Sequence, residues 1–180
     1  MSGKENQRVM LTKKLLKNAL VELLQKDSLY HISIRELCEK SGINRSTFYK
    51  YYGSQFELLA EMEQDLLNDI ERSLVEDNVP NPKVLGQLLE YIEKNLEFVR
   101  LLLNSSADPE FAGRLFAMPQ IQKMLRQVLS SDLSPTEYEY ASSFNIYGAY
   151  KMVLIWINKE EREKPEWMAD FIIRQLSLKA

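Results

Sequence analysis

The chain has 180 residues, 45% hydrophobic and 27% charged, with a net charge of −3, which is the balance of a folded globular protein and not of a disordered or fibrous one. No apolar run approaches the ~20 residues of a membrane helix and the start, Met-Ser-Gly-Lys-Glu-Asn-Gln-Arg, lacks a hydrophobic signal core, so a cytoplasmic protein is expected. A single cysteine excludes an internal disulfide, and a single histidine, His31, with no Glu-x-x-His or paired cysteines near it, leaves zinc or di-iron chemistry without a ligand set.

The periodicity is helical almost throughout, with no competing strand pattern. Thr12 opens the first predicted helix, in which Leu15, Leu16, Ala19, Leu20, Leu23 and Leu24 form a broad apolar stripe ending near Asp27. In the next helix Ile34, Leu37 and Cys38 fall at i, i+3 and i+4, with Arg35, Glu36, Glu39 and Lys40 on the wet side. Ser33 stands at its N-cap and Glu36 completes a capping box, while Cys38, on the buried stripe, reads as a small core residue. Gly42 follows where a left-handed residue ends a helix, and Ile43 can wedge between this helix and the next.

Asn44 caps a third helix whose inner face is marked by Phe48 and Tyr52, leaving Arg45, Ser46, Thr47, Tyr49 and Lys50 pointing outward. Two short helices joined by a glycine turn follow the pattern of a helix-turn-helix, whose second helix places its first residues in the DNA major groove. Arginine, hydroxyls and the threonine methyl read base edges there, and tyrosine and lysine suit the flanking phosphates. An ordinary solvated helix face is the competing reading, and the charge distribution weighs against it. Residues 1–52 hold ten Lys and Arg against five acids, a charge of +5, and the remainder carries −8. Basic charge gathered at one end fits a chain that meets polyphosphate with that end.

Ser54 with Glu57 repeats the capping box and begins a long connector helix through Leu58, Leu59, Met62, Leu66 and Ile70. Asp77–Pro82 reads as a break, after which Pro82 starts a helix with Leu85, Leu88, Leu89 and Ile92. Leu96–Leu103 is a further short helix, and Asp108 and Pro109 start another, kinked near Pro119. Ser134, Pro135 and Glu137 form a third serine–glutamate box. The helix it opens, with Tyr140, Phe144, Tyr147, Tyr150, Val153 and Trp156, is apolar on more sides than one intramolecular face requires, which implies a second partner surface. Pro165 starts the terminal helix.

With these residues in place, residues 9 to about 74 resemble the DNA-binding head of the TetR/AcrR family of transcriptional regulators. The resemblance rests on the leucine-rich first helix, Ser-Ile-Arg-Glu-Leu-Cys of the second, Ser-Gly-Ile-Asn-Arg-Ser-Thr-Phe-Tyr-Lys-Tyr-Tyr of turn and third, and Phe56-Glu-Leu-Leu of the fourth. One departure is Gln55, where the family commonly has a phosphate-contacting lysine. Residues 82–180 resemble the family's body in helix count, length and the final helix pair. The resemblance implies an all-α chain with a three-helix head (residues 1–53), then a connector helix and C-terminal ligand-sensing and dimerisation bundle (54–180). It also implies a homodimer through the last two helices, a small-molecule pocket in the body, and repression relieved when an effector releases the chain from a palindromic operator on double-stranded DNA.

Carried over residue by residue, it places Ser33 and Arg35 near backbone or bases and Arg45, Ser46, Thr47, Tyr49 and Lys50 on the reading helix, with Asn44 at its cap in the same set. Tyr51 and Thr12 are further phosphate donors, with a helix cap as the competing reading of Thr12. Phe98, Leu102, Phe111, Phe116, Phe144 and Tyr147 are the candidates to line a pocket for an apolar or aromatic ligand, with plain core as the alternative. An enzyme is not expected: there is no glycine loop for phosphates, no cofactor or metal is implied, and Glu160, Glu161, Glu163 and Glu166 beside Lys159, Arg162 and Lys164 read as a solvated charge run. The alternative function is a DNA-binding factor of the same fold without a small-molecule ligand, controlled by a protein partner.

Overall fold

The computed structural model describes residues 3–74, 82–104, 108, 110–129 and 132–177, and among these every regular element is a helix. In chain order they are α1 (Gly3–Leu24), α2 (Ile34–Ser41), α3 (Arg45–Tyr51), α4 (Gln55–Leu74), α5 (Pro82–Lys94), α6 (Leu96–Leu103), α7 (Phe111–Phe116), α8 (Pro119–Val128), α9 (Pro135–Asn158) and α10 (Pro165–Ser177). The break expected at Asp77–Pro82 lies, up to residue 81, outside the described residues.

The helix starts follow from local chemistry. At α2 the Ser33 hydroxyl accepts from the Glu36 amide at 3.2 Å while the Glu36 carboxylate accepts from the Ser33 amide at 2.9 Å, and Ser134 and Glu137 repeat this at α9, at 3.3 and 2.8 Å. At α4 the box is displaced. Ser54 accepts from the Glu57 amide at 3.3 Å, but the Glu57 carboxylate reaches one residue further back, to the Gly53 amide at 2.8 Å. A β-carbon on Gly53 would stand 2.8 Å from Glu57 Oε1, so this closure needs glycine. Gly42, at φ 69°, supplies the left-handed residue that ends α2.

Two boundaries differ from the sequence reading. The first helix begins at Gly3 rather than Thr12, because residues 4–11 are good helix formers with nothing to stop propagation. Thr12 is therefore mid-helix and half-buried, so it is not a cap. The segment after Asp108 is two helices, not one kinked helix. Pro119 starts α8 at its first turn, and the residue before a proline is steered out of helical geometry, which ends α7 at Phe116.

One apolar core runs through head and body. In the head, Leu16 and Leu20 of α1 meet Leu37 of α2, Phe48 of α3 and Leu58 of α4, all fully buried. In the body α5 packs along α10, with Leu89, Ile172 and Ala169 buried, and Trp156 and Ile157 at the end of α9 close the floor. Arg100 of α6 donates to the Ile157 carbonyl at 2.6 Å, and the Trp156 ring donates to the Glu163 carbonyl at 2.8 Å, fixing the α9–α10 corner.

Helix α4 belongs to both halves. Its acids tie it to the head through Lys13–Glu61 and Lys17–Asp65, both 2.6 Å. They tie it to the body through Arg114–Glu63, Tyr91–Asp69 and Gln120–Glu71, also 2.6 Å.

Candidate nucleic-acid interface

Helix α3 is only seven residues long, too short to be stable alone, and its orientation is imposed from below. Phe48 is fully buried, Tyr52 nearly so, and their rings meet at 5.7 Å. The N-terminus is fixed by Asn44, whose side-chain oxygen accepts from the Thr47 amide and from the Ser46 hydroxyl, each at 2.8 Å. At the other end the Tyr52 hydroxyl donates to Glu61 of α4 at 3.0 Å. Burial alone would raise the Glu61 carboxyl, but hydrogen bonds from Lys13, Lys17 and Tyr52 outweigh it and pull it down to about 2.

This seating leaves Arg45, Ser46, Tyr49 and Lys50 exposed on the outer face and Thr47 half-buried. Their charges are unspent. Among the described residues no acid lies within ion-pair distance of Arg45 or Lys50, and the Lys50 ammonium stands over the half-buried Tyr51 ring at 5.7 Å. Four other cations of the head are held: Lys13 and Lys17 by α4, Lys40 by Glu22 at 2.5 Å, and Arg35 by Glu39 at 2.8 Å, while Arg8, Lys14 and Lys26, like Arg45 and Lys50, lie outside ion-pair distance of any described acid. Part of the basic charge at the N-terminal end thus holds the head together, and the part left outward includes both cations of the reading helix.

The structure gathers Asn44, Arg45, Ser46, Thr47, Tyr49, Lys50 and Tyr51 on or beside α3. Ser33 and Arg35 sit at the start of α2 and both are engaged: Ser33 in its box with Glu36, Arg35 with Glu39. Gln55 turns its amide toward the Leu29 carbonyl at 3.5 Å. Sequence reasoning missed Tyr30, 81% exposed, which rests edge-on against Phe56 at 5.3 Å beside the starts of α2 and α4. An aromatic residue between the end of one apolar stripe and the cap of the next was the available signal.

The pocket candidates disperse. Of the six, Phe116 alone lines the half-open apolar cavity between the body helices. Leu102 and Phe111 are fully buried core, and Phe98 faces an open cleft between α1 and the body, beside Lys17, Asp65 and Tyr91. Phe144 and Tyr147 point outward, 64% and 65% exposed, although Tyr147 touches the Phe116 ring edge at 6.1 Å. Helical spacing places aromatics on a face but does not say whether that face meets core, cavity or solvent. The exposed apolar side chains of α9 continue to Ile155, and on α10 Trp167 stacks flat on Phe171 at 5.3 Å, forming an apolar groove with Met152 and Trp156.

Among the described residues no helix is long and apolar enough to cross a membrane and no cluster of metal-ligating side chains occurs. Residues 82–177 match the family TetR_C_8, Transcriptional regulator C-terminal region. The chain is 22% identical over 172 residues to the uncharacterised HTH-type transcriptional regulator YxbF of Bacillus subtilis (strain 168), covering 91% of this chain but 44% of that protein, so it spans less than half of YxbF. It is 26% identical over 135 residues to DhaS of Lactococcus lactis subsp. lactis (strain IL1403), an HTH-type transcriptional activator of the dhaKLM operon, covering 73% of this chain and 68% of DhaS. Its fold is that of a TetR transcriptional regulator from Streptococcus agalactiae 2603V, with a TM-score of 0.66 at 20% identity over 96% of this chain and 97% of the other. With a family match spanning more than half its length, the chain belongs to the TetR/AcrR family of transcriptional regulators.

Proposed function

We propose that this transcriptional regulator binds a palindromic operator as a homodimer, reading bases with Arg45, Ser46, Thr47 and Tyr49, and is released from it by a small molecule held in the body. Lys50, Tyr51, Ser33 and Arg35 contact flanking phosphates, and Asn44 holds the reading helix in register. The observation that carries this reading is that Arg45 and Lys50 stand outward and unpaired together on one short helix anchored by Phe48, while Lys13, Lys17 and Lys40 are held within the head. The dimer forms through α9 and α10, whose outward apolar groove includes Ile155 and Trp167. Two-fold symmetry then sets the half-sites about one helical turn apart, ~34–36 Å.

In this reading the chain represses by occupying its operator, and α4 carries the signal because its acids hold α1 and Tyr52 on one side and α5, α7 and α8 on the other. An effector that favours the wrong head spacing weakens DNA binding by the factor by which DNA weakens effector binding. Control by a protein partner is the second reading, favoured by the exposed Tyr140 and Phe144 at the start of α9. Footprinting the purified chain on the DNA upstream of its own gene tests the proposal. A two-fold symmetric protected region at moderate salt supports it, and no protection refutes it.

A further inference from the structure

Between the body helices lies a half-open cavity of about 120 Å³, with Ile70 of α4, Leu89 of α5, Phe116 of α7 and Val153 of α9 on its wall. Among the described residues no charged side chain lines it, and two polar ones do. One of them is satisfied: the Tyr150 hydroxyl donates to the Leu103 carbonyl at 2.6 Å. The other is Asn145 of α9, 4% exposed, whose amide makes no hydrogen bond to another described residue and is not fully shut off from accessible space. An amide turned to a cavity walled by hydrocarbon can pair there only with water or a guest molecule, and a leucine would fill the same place without needing either. What Asn145 offers is one acceptor and two donors, facing a space otherwise apolar.

We infer that this cavity is the site of a compact, uncharged, mostly hydrocarbon molecule whose single hydroxyl or carbonyl group pairs with the Asn145 amide. The inference rests on the reading of the chain as ligand-responsive and names the class of its ligand. The size follows from the volume, somewhat below the ~150 Å³ of an apolar cavity that accepts benzene, with the open mouth leaving room for a ring substituent. The charge follows from the described lining: a carboxylate or ammonium would give up water with no counter-ion among those residues to receive it. The route to DNA follows from Ile70, which puts the wall of the cavity on the helix whose earlier residue Glu61 holds Tyr52.

The test uses the purified full chain with four probes of similar size: p-cresol, toluene, benzoate and benzylammonium, read by thermal unfolding and calorimetry. The expected result is that p-cresol raises Tm and binds roughly tenfold tighter than toluene, the worth of one hydrogen bond, while benzoate and benzylammonium do not bind. In Asn145→Leu the preference for p-cresol over toluene disappears and the unliganded variant melts no lower than wild type. Equal binding of p-cresol and toluene to the wild type, binding of either ion, or no binding by any probe overturns the inference, and none of these needs the variant to fold. The broader reading is scored separately by DNA retention. If p-cresol binds with the expected preference yet leaves DNA retention unchanged, release by an effector in this cavity fails and the site stands. If an effector releases DNA while p-cresol shows no preference, the assigned chemistry fails and the reading stands.

Discussion

Tyr52, the residue that ends the reading helix, donates its hydroxyl to Glu61 of the connector helix at 3.0 Å, and Glu61 also receives Lys13 at 2.6 Å and Lys17 at 2.8 Å. One carboxylate therefore joins α1, α3 and α4. Removing it in Glu61→Ala leaves Lys13 and the Tyr52 phenol without their acceptor, Lys17 keeping Asp65, and lowers stability by about 1–3 kcal/mol, measured as a shift in the urea midpoint without a change in slope. Because the Glu61 carboxyl titrates near 2 in the folded chain, below its ordinary 4.5, its contribution is present above pH 4.5 and is lost as pH falls toward 2.

Glu63, two residues along the same helix, behaves oppositely. Burial raises its carboxyl, Asp108 raises it further, and Arg114 opposes both, leaving it at about 7. A carboxyl raised on folding favours the folded state in its protonated form. Its contribution is complete below pH 4.5 and is lost as pH rises through 7. Glu63→Gln, which keeps the shape without the titration, is expected to flatten the stability profile between pH 4.5 and 7 and leave the profile below pH 4.5 unchanged. An unaltered slope in the upper window contradicts the assignment.

The two outward cations of the reading helix are predicted to act differently on DNA. Arg45→Ala costs about 1–3 kcal/mol on the operator and relaxes discrimination at one base position of each half-site. Lys50→Ala weakens operator and random duplex alike and lowers the salt slope by about one per protomer. Titrations by fluorescence anisotropy at several salt concentrations separate these outcomes.

Much of this was legible in the sequence where the cause is local. Ser33 with Glu36, Ser134 with Glu137, and Pro82 and Pro165 mark helix starts because a cap needs only residues within one turn. Phe48 and Tyr52 announced the inner face of α3 for the same reason. What escaped depends on distance or on the absence of a pattern. The start of α1 carries polar helix formers with no apolar period to reveal them. The bonds of Lys13 to Glu61 and Arg114 to Glu63 join residues 48 and 51 positions apart. Leu102 and Phe111 share the spacing of cavity-lining residues but fall in the core, whereas Asn145 stood in the open, a polar residue inside the apolar run of α9.

The α9–α10 groove gives a prediction about assembly. Ile155→Glu places a charge among Trp167, Phe171 and Met152, on a residue already half-exposed in the single chain. Folding is expected to survive while sedimentation shifts from dimer to monomer. Operator affinity falls about a hundredfold or more as the two heads lose their linkage. A dimer that persists would place the association surface elsewhere.

The most direct measurement is to sequence the DNA that the purified chain retains from a pool of random duplexes. The account predicts an inverted repeat with half-site centres about one helical turn, ~34–36 Å, apart, and loss of that repeat when Arg45 and Tyr49 are both replaced by alanine. Retained sequences without two-fold symmetry, or a repeat undiminished by the double replacement, would contradict it.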